Sequence, residues 1–341
     1  MILFDTTAAE SWRHASGLAR VSRRLRTELG GAARDARWPG MRAVAGAADW
    51  VLTPELFSET ERPGFADFLK RRPCRCAAVY HDAIPIKFPG ITWPRSVERH
   101  PGYMKLLARF DRVWAVSAAS RRELLGFWKW QEIAEPPPVD VLPLGADWEG
   151  HARASAPSAG ARASGPPRLV SVGILEPRKN QEMLLDACEA LRREGLEMEL
   201  HLVGRVNPHF GGPIARRVAA MQERWPGLKH HTHMDDAALA DLVGTARATA
   251  LASIAEGCGL PLLESLWMGI PCVCSDVASL AENAAGGGCA VVPGNDLEGW
   301  KAALRRVLTD DAFHGRLTAE ALSRPLPTWA AAARLLREAL V

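Results

Sequence analysis

Two patterns alternate along this chain. Short apolar runs rich in Val, Leu and Ala are followed by stretches whose apolar positions recur every three or four residues. The first pattern marks a buried strand and the second a helix with one apolar face. In the first half the runs predict strands at 2–4, 50–53, 77–80, 112–116 and 139–143. Leu18, Val21, Leu25 and Leu29 predict a first helix, and others fall near 100–109 and 118–128. In the second half the alternation is sharper. It predicts strands at 169–173, 198–203, 228–232, 248–252, 271–274 and 289–292. The helices between and after them fall at 181–193, 213–225, 236–245, 260–268, 278–284 and 296–308. Strand–helix repetition of this kind builds parallel sheets covered on both faces.

The pattern stops between residues 148 and 168, a stretch rich in Ala, Ser, Gly and Pro that reads as a linker. It separates an expected first domain, 1–147, from a second, 169–325. The fold class is therefore α/β, two Rossmann-like domains with parallel sheets facing an interdomain cleft. The last segment, 326–341, carries Trp329, Leu335, Leu336 and Leu340 on a helix. That helix either completes a domain or crosses back over the first. A chain of 341 residues fits two cores at about 150 residues per domain.

Composition narrows the class. Hydrophobic residues are 48% and charged residues 24% of the chain, which excludes disorder as its main state. No window reaches the about eighteen apolar residues of a membrane-spanning helix. Asp5 interrupts the apolar N-terminus after three residues, unlike a secretory signal. Seven cysteines inside apolar runs read as reduced thiols, so a cytoplasmic protein is expected. Up to Gly150 there are 22 basic against 18 acidic residues, and after it 20 against 21. That asymmetry is too slight for a nucleic-acid footprint but makes the first half the one to meet an anionic partner.

The strongest constellation is Ser253-Ile-Ala-Glu256-Gly257-Cys258-Gly259-Leu260-Pro261-Leu-Leu-Glu264. A buried strand runs into an acid, then two glycines, then a helix start with Pro261 in its first turn. Glycines let the backbone approach a ligand, and a helix N-terminus offers free N–H groups to an anion. One carboxylate for a sugar and one for a ribose, with phosphate between, suits a nucleotide sugar. The plainer reading is an acidic helix cap with Glu264 paired.

The string EGCGLPLLE resembles the E-x7-E region of retaining GT-B glycosyltransferases of glycosyltransferase family 4, mannosyltransferase-like members in particular. The turn Gly173-Ile-Leu-Glu-Pro-Arg178-Lys179-Asn180 resembles the strand–Gly–basic turn that opens the family's second domain. Tyr80-His81-Asp82 resembles its His-Asp turn, and Ser16-Gly17-Leu18-Ala19-Arg20 its Gly-rich turn, with Ala19 in place of a second glycine. Cys258 stands where the family usually has an aromatic. The resemblance implies catalytic roles for His81, Glu256, Lys179 and Arg178. It implies donor contacts at Gly17, Gly173, Met234, Asp235, Ser253, Gly257, Cys258, Gly259, Leu260 and Glu264. Lys179 would contact the diphosphate, Glu256 the sugar, Glu264 the ribose, and the backbone of Met234 and Asp235 the base. No cofactor or metal is implied. The Glu-Pro-Arg-Lys-Asn turn is similar to that of members using GDP-mannose, and the acceptor would be a glycan or a lipid-linked glycan. Two alternatives stay open: a nucleotide-sugar epimerase of the same fold, and a non-catalytic sugar-nucleotide-binding partner.

Other features carry less. His230, His231 and His233 resemble a metal cluster, but strand alternation splits neighbours onto opposite faces. Arg20, Arg23, Arg24 and Arg26, with Trp128 and Trp130, read either as a solvated surface or as a peripheral contact to the inner membrane face.

Overall fold

A computed structural model of the chain describes residues 1–9, 16–157 and 165–341. The chain divides into two compact units, Met1–Gly145 with Pro327–Val341, and Ala146–Leu326.

In the first unit six parallel strands lie in the order β2-β1-β3-β4-β5-β6: β1 Ile2–Asp5, β2 Ala33–Ala36, β3 Trp50–Thr53, β4 Arg75–Tyr80, β5 Arg112–Ala115 and β6 Val139–Val141. The helices between them are α1 Gly17–Leu29, α2 Met41–Val44, α3 Phe65–Arg71, α4 Ile84–Lys87, α5 Pro94–Leu107 and α6 Ala118–Trp130. Strands β1 and β3 are wholly buried, as parallel strands with two covered faces must be. One face packs an aromatic cluster in which Phe57 meets Phe65 and Tyr103 edge-on.

In the second unit the order is β12-β11-β10-β7-β8-β9, again all parallel. The strands are β7 Arg168–Val172, β8 Glu199–Val203, β9 Leu228–His231, β10 Ala248–Leu251, β11 Cys272–Ser275 and β12 Cys289–Val292. The helices are α7 Gln181–Arg193, α8 Gly212–Gln222, α9 Asp236–Gly244, α10 Leu260–Trp267, α11 Ala278–Ala284, α12 Leu297–Thr309 and α13 Asp311–Ser323. Leu184, Leu191, Val218, Trp300 and Leu304 fill one face of this sheet. Leu239, Val243 and Trp148 fill the other.

The final helix, α14 Trp329–Leu340, belongs to the first unit. Gly145 admits it: a Cβ there would fall 2.3 Å from the Trp329 backbone nitrogen. The expected linker, 148–168, differs from a free connector in its described part. Trp148 is buried and donates to the Glu264 carbonyl, and Arg153 donates to the carbonyls of Ala321 and Arg324. Residues 158–164 lie outside the described residues.

The basic first-unit face is also smaller than the sequence suggests. Arg24 is buried, pairs with Glu28 and lies over the Trp329 ring, and Arg26 pairs with Asp35. Trp128 is buried and donates to the Met104 carbonyl, whereas Trp130 is 72% exposed. Among the described residues no helix is long and apolar enough to cross a membrane.

Candidate functional site

Strand order reverses between β7 and β10, the position at which open parallel sheets commonly bind ligands. The two segments there are the basic turn 173–180 and the acidic turn 252–259. Arg178, Lys179, Ser253 and Glu256 meet at this point. Lys179 Nζ lies 2.5 Å from Glu256 Oε1, and Arg178 Nη1 lies 3.3 Å from Glu256 Oε2. Ser253 Oγ donates to Glu256 Oε1 at 2.7 Å, and the Ile254 amide donates to the Arg178 carbonyl at 2.9 Å. Arg178 also reaches Glu176 at 2.7 Å and the Ala255 carbonyl at 3.0 Å.

Backbone geometry makes this possible. Gly173 leaves the space that Lys179 uses, since a Cβ there would meet the lysine Cδ and Cε at 3.3 Å. Gly259, at φ 82°, begins α10 without a side-chain cap, and a Cβ on it would fall 2.3 Å from Leu280. Only glycine combines that φ with that contact. No side chain caps the start of α10, where Pro261 has no N–H and the Leu262 amide donates to the Gly259 carbonyl at 3.0 Å.

The electrostatics follow from burial. The Glu256 side chain is 8% exposed. Burial pushes its carboxyl pKa up, but the Lys179 ammonium and the Arg178 guanidinium outweigh that and hold it at about 2. Burial also pushes the Lys179 pKa down, and Glu256 opposes the fall. Glu256 thus stays charged at neutral pH, and the lysine bears a desolvation cost. Cys258 is buried, with its thiol pushed up by burial to about 12, so it is an inert packing residue. Leu260 is buried too, and Gly257 lies in the same turn. Glu264 is buried on α10. Asp235 caps α9 by accepting from the Ala238 amide, and Met234 is partly buried against the core on that face of the sheet.

The sequence reading did not single out Glu176 and its buried support. Glu176 accepts from Asn207 Nδ2 at 2.8 Å as well as from Arg178, and Gln181 holds its backbone amide. An acid beside two cations in one turn was the available signal. The histidines 230 and 231 face apart: His230 meets the Gly204 carbonyl and His231 meets His201. Among the described residues no group of three or more His, Cys, Asp or Glu could hold a metal ion.

His81 and Gly17 lie in the first unit. His81 follows β4, is buried, and its Nε2 lies 2.8 Å from the Pro54 carbonyl. A carbonyl accepts only, so Nε2 carries the proton and Nδ1 is the basic nitrogen. Burial pushes its pKa down and keeps the ring neutral. Gly17 opens α1 behind the N-cap Ser16, and a Cβ on it would meet nothing within 4 Å.

The first unit has its own reversal, between β1 and β3, and a second charged group that the sequence reading missed. Asp5, Glu55 and Arg62 are almost wholly buried there. Arg62 lies 2.5 Å from Asp5 and 2.9 Å from Glu55, and the Ala8 amide donates to Glu55 at 2.7 Å. Burial, with Asp5 adding to it, pushes the Glu55 carboxyl up to about 7.

Residues 166–310 match the family model Glycosyl transferases group 1. The chain is similar to the serotype-specific mannosyltransferase WbdA of Escherichia coli, 28% identical over 260 residues, covering 68% of this chain and 29% of that protein. It is also similar to the O-antigen chain mannosyltransferase B of Escherichia coli, 31% identical over 153 residues, covering 45% and 40%. The chain thus spans less than half the length of either. Among solved structures, the sucrose-phosphate synthase of Thermosynechococcus elongatus superposes with a TM-score of 0.74 at 17% identity, covering 99% of this chain and 97% of that one. At that identity the likeness is one of fold, and the fold class is GT-B.

Proposed function

We propose that this chain, whose residues 166–310 are a glycosyl transferases group 1 domain, is a retaining glycosyltransferase. It moves a hexose, mannose from GDP-mannose in our reading, to a hydroxyl of a glycan or lipid-linked acceptor. The observation that carries this is the Lys179–Glu256–Arg178 contact at the reversal of the second sheet. It brings two cations and a carboxylate together beside the start of α10. The mannosyltransferase names of two relatives support the choice of sugar.

In this reading the diphosphate lies on Lys179 and Arg178 beside the start of α10, and the two cations neutralise the charge it gains on leaving. Those cations fill the role a metal plays elsewhere. Glu256 accepts from sugar hydroxyls, Glu264 from the ribose, and the Met234–Asp235 backbone flanks the base. His81, neutral with a basic Nδ1, orients a sugar hydroxyl. The acceptor oxygen bonds to the anomeric carbon on the face the diphosphate leaves. The anomeric C–O bond breaks, and the acceptor proton passes to the departing phosphate oxygen.

A donor panel read by product formation tests it. GDP-mannose should be consumed with an acceptor glycan, EDTA should leave the rate unchanged, and Glu256→Gln should lower turnover by about a hundredfold or more. Transfer by the folded Glu256→Gln variant at near wild-type rate would refute the site. Conversion of the donor without an acceptor would favour the epimerase.

A further inference from the structure

One short helix grips the acidic turn 252–259 from behind. Ser275, at the end of β11, donates from Oγ to the Ser253 carbonyl at 2.5 Å. On α11, Ser279 Oγ donates to the Glu256 carbonyl at 2.8 Å and Asn283 Nδ2 to the Cys258 carbonyl at 2.6 Å. Ser279 and Asn283 are one helical turn apart and share a face of α11. Leu280 closes on the same turn, since a Cβ on Gly259 would fall 2.3 Å from it. We infer that Ser279 and Asn283 are positioning residues that orient the Gly257 and Gly259 amides away from α11 and toward the bound donor. The inference rests on the transferase reading and adds to it what sets the geometry of the acidic turn.

The reason lies in the peptide plane. In a trans peptide the carbonyl and the following N–H point in opposite directions. A carbonyl held by α11 therefore sends the next amide away from α11. The first of the three peptides shows what lies on that opposite side. With the Ser253 carbonyl on Ser275, the Ile254 amide donates to the Arg178 carbonyl at 2.9 Å, in the basic turn. By the same rule Ser279, holding the Glu256 carbonyl, turns the Gly257 amide away from the helix. Asn283, holding the Cys258 carbonyl, does the same to the Gly259 amide.

These two planes need an outside hold. Each joins its carbonyl to a glycine, whose missing Cβ lets a peptide plane flip at little cost. Ser279 is 1% exposed, so its hydroxyl bond to the Glu256 carbonyl is shielded from competing water. Glu256 is thereby fixed at both ends, its carbonyl by Ser279 and its carboxylate by Ser253 and the two cations. A flip of the Glu256–Gly257 plane would move that carboxylate as well as the amide beside it.

The test uses the one Cys–Gly step in the sequence, Cys258–Gly259. The whole chain labelled with carbonyl-13C cysteine and 15N-glycine gives a single correlation, which reads the held carbonyl and the turned amide together. Asn283→Leu keeps the side-chain shape and removes its donor. Ser279→Thr and Ser279→Val match each other in shape and differ by one hydroxyl. Before any nucleotide is added, Asn283→Leu should move the Cys258 carbonyl resonance upfield, as loss of a hydrogen bond does. Turnover of GDP-mannose is then counted per folded molecule, with circular dichroism giving the folded fraction. In Asn283→Leu and Ser279→Val, kcat should fall about tenfold or more while KM changes by less than about threefold. Ser279→Thr should recover most of what Ser279→Val loses, whereas a purely structural role would leave kcat per folded molecule unchanged. An unmoved Cys258 carbonyl in Asn283→Leu, or equal kcat in Ser279→Thr and Ser279→Val, overturns the inference. Failure of the wild-type chain to bind any nucleotide sugar overturns the transferase reading instead, and the Cys258–Gly259 correlation still reports whether Asn283 sets the turn.

Discussion

The contact between Lys179 and Glu256 should be measurable as a coupling free energy. Glu256 moves from an ordinary 4.5 to about 2, and about 1.36 kcal/mol per pH unit makes this about 3 kcal/mol in favour of its charged form. The side chain is 8% exposed, so solvent screens little of it. Lys179 gives part of this back, because burial pushes its own pKa down. Lys179→Met should therefore cost about 2–3 kcal/mol, since Glu256 keeps Arg178 and Ser253 but loses its nearest cation. Removing the charge as well, in Lys179→Met with Glu256→Gln, should recover at least half, a coupling of about 1.5–3 kcal/mol. With two units the whole-chain melt is not two-state, so the readout should be hydrogen exchange of β7 and β10 amides, which reports local opening. The sign with pH is fixed. A depressed carboxyl stabilises above its unfolded value near 4.5 and loses that contribution as pH falls through about 2. A coupling below about 0.5 kcal/mol, typical of exposed pairs, would refute the buried pair.

Glu55 should behave in the opposite sense. Its folded pKa is raised to about 7, so the folded state holds more protons between pH 4.5 and 7 and stability falls as pH rises through that window. Glu55→Gln should gain about 1–3 kcal/mol at pH 8 relative to pH 5, read from hydrogen exchange of β1 and β3 amides at both values. An unchanged pH slope in the variant would sink this. Gly145→Ala should cost about 3 kcal/mol, because its Cβ would fall 2.4 Å from the Trp329 ring and displace α14. Limited proteolysis should then release the C-terminal helix, and wild-type resistance would contradict the packing.

The second unit was legible almost element by element because its central strands are buried on both faces and read as apolar runs. Strand β10 shows this plainly, with all four residues of Ala248–Leu251 buried. What escaped had no such signal. β2 reads Ala-Arg-Asp-Ala at a sheet edge with its two central residues exposed, which is no apolar run at all. α13 follows α12 with Asp310 alone between them, the residue serving as C-cap of one and N-cap of the other, so the break carries no Gly or Pro. The placement of α14 depends on Trp329 meeting Gly145, a tertiary fact that no local pattern encodes.

The candidate residues were visible, but their contact was not. Sequence assigned Lys179 to a diphosphate and Glu256 to a sugar as separate duties. That β7 lies beside β10 makes them one ion pair. On the proposed reading, a donor draws Lys179 and Arg178 away from a carboxylate while offering that carboxylate hydroxyls in return. A nucleotide sugar does both, whereas a nucleoside diphosphate alone supplies no hydroxyl from a transferred sugar to Glu256. The same position in the first sheet is built with the balance changed. There one guanidinium serves two acids beneath a capped helix, whereas in the second sheet two cations meet Glu256 and Glu176 beneath an uncapped one. The second reversal thus sets two cations against two acids, and the first sets one cation against two.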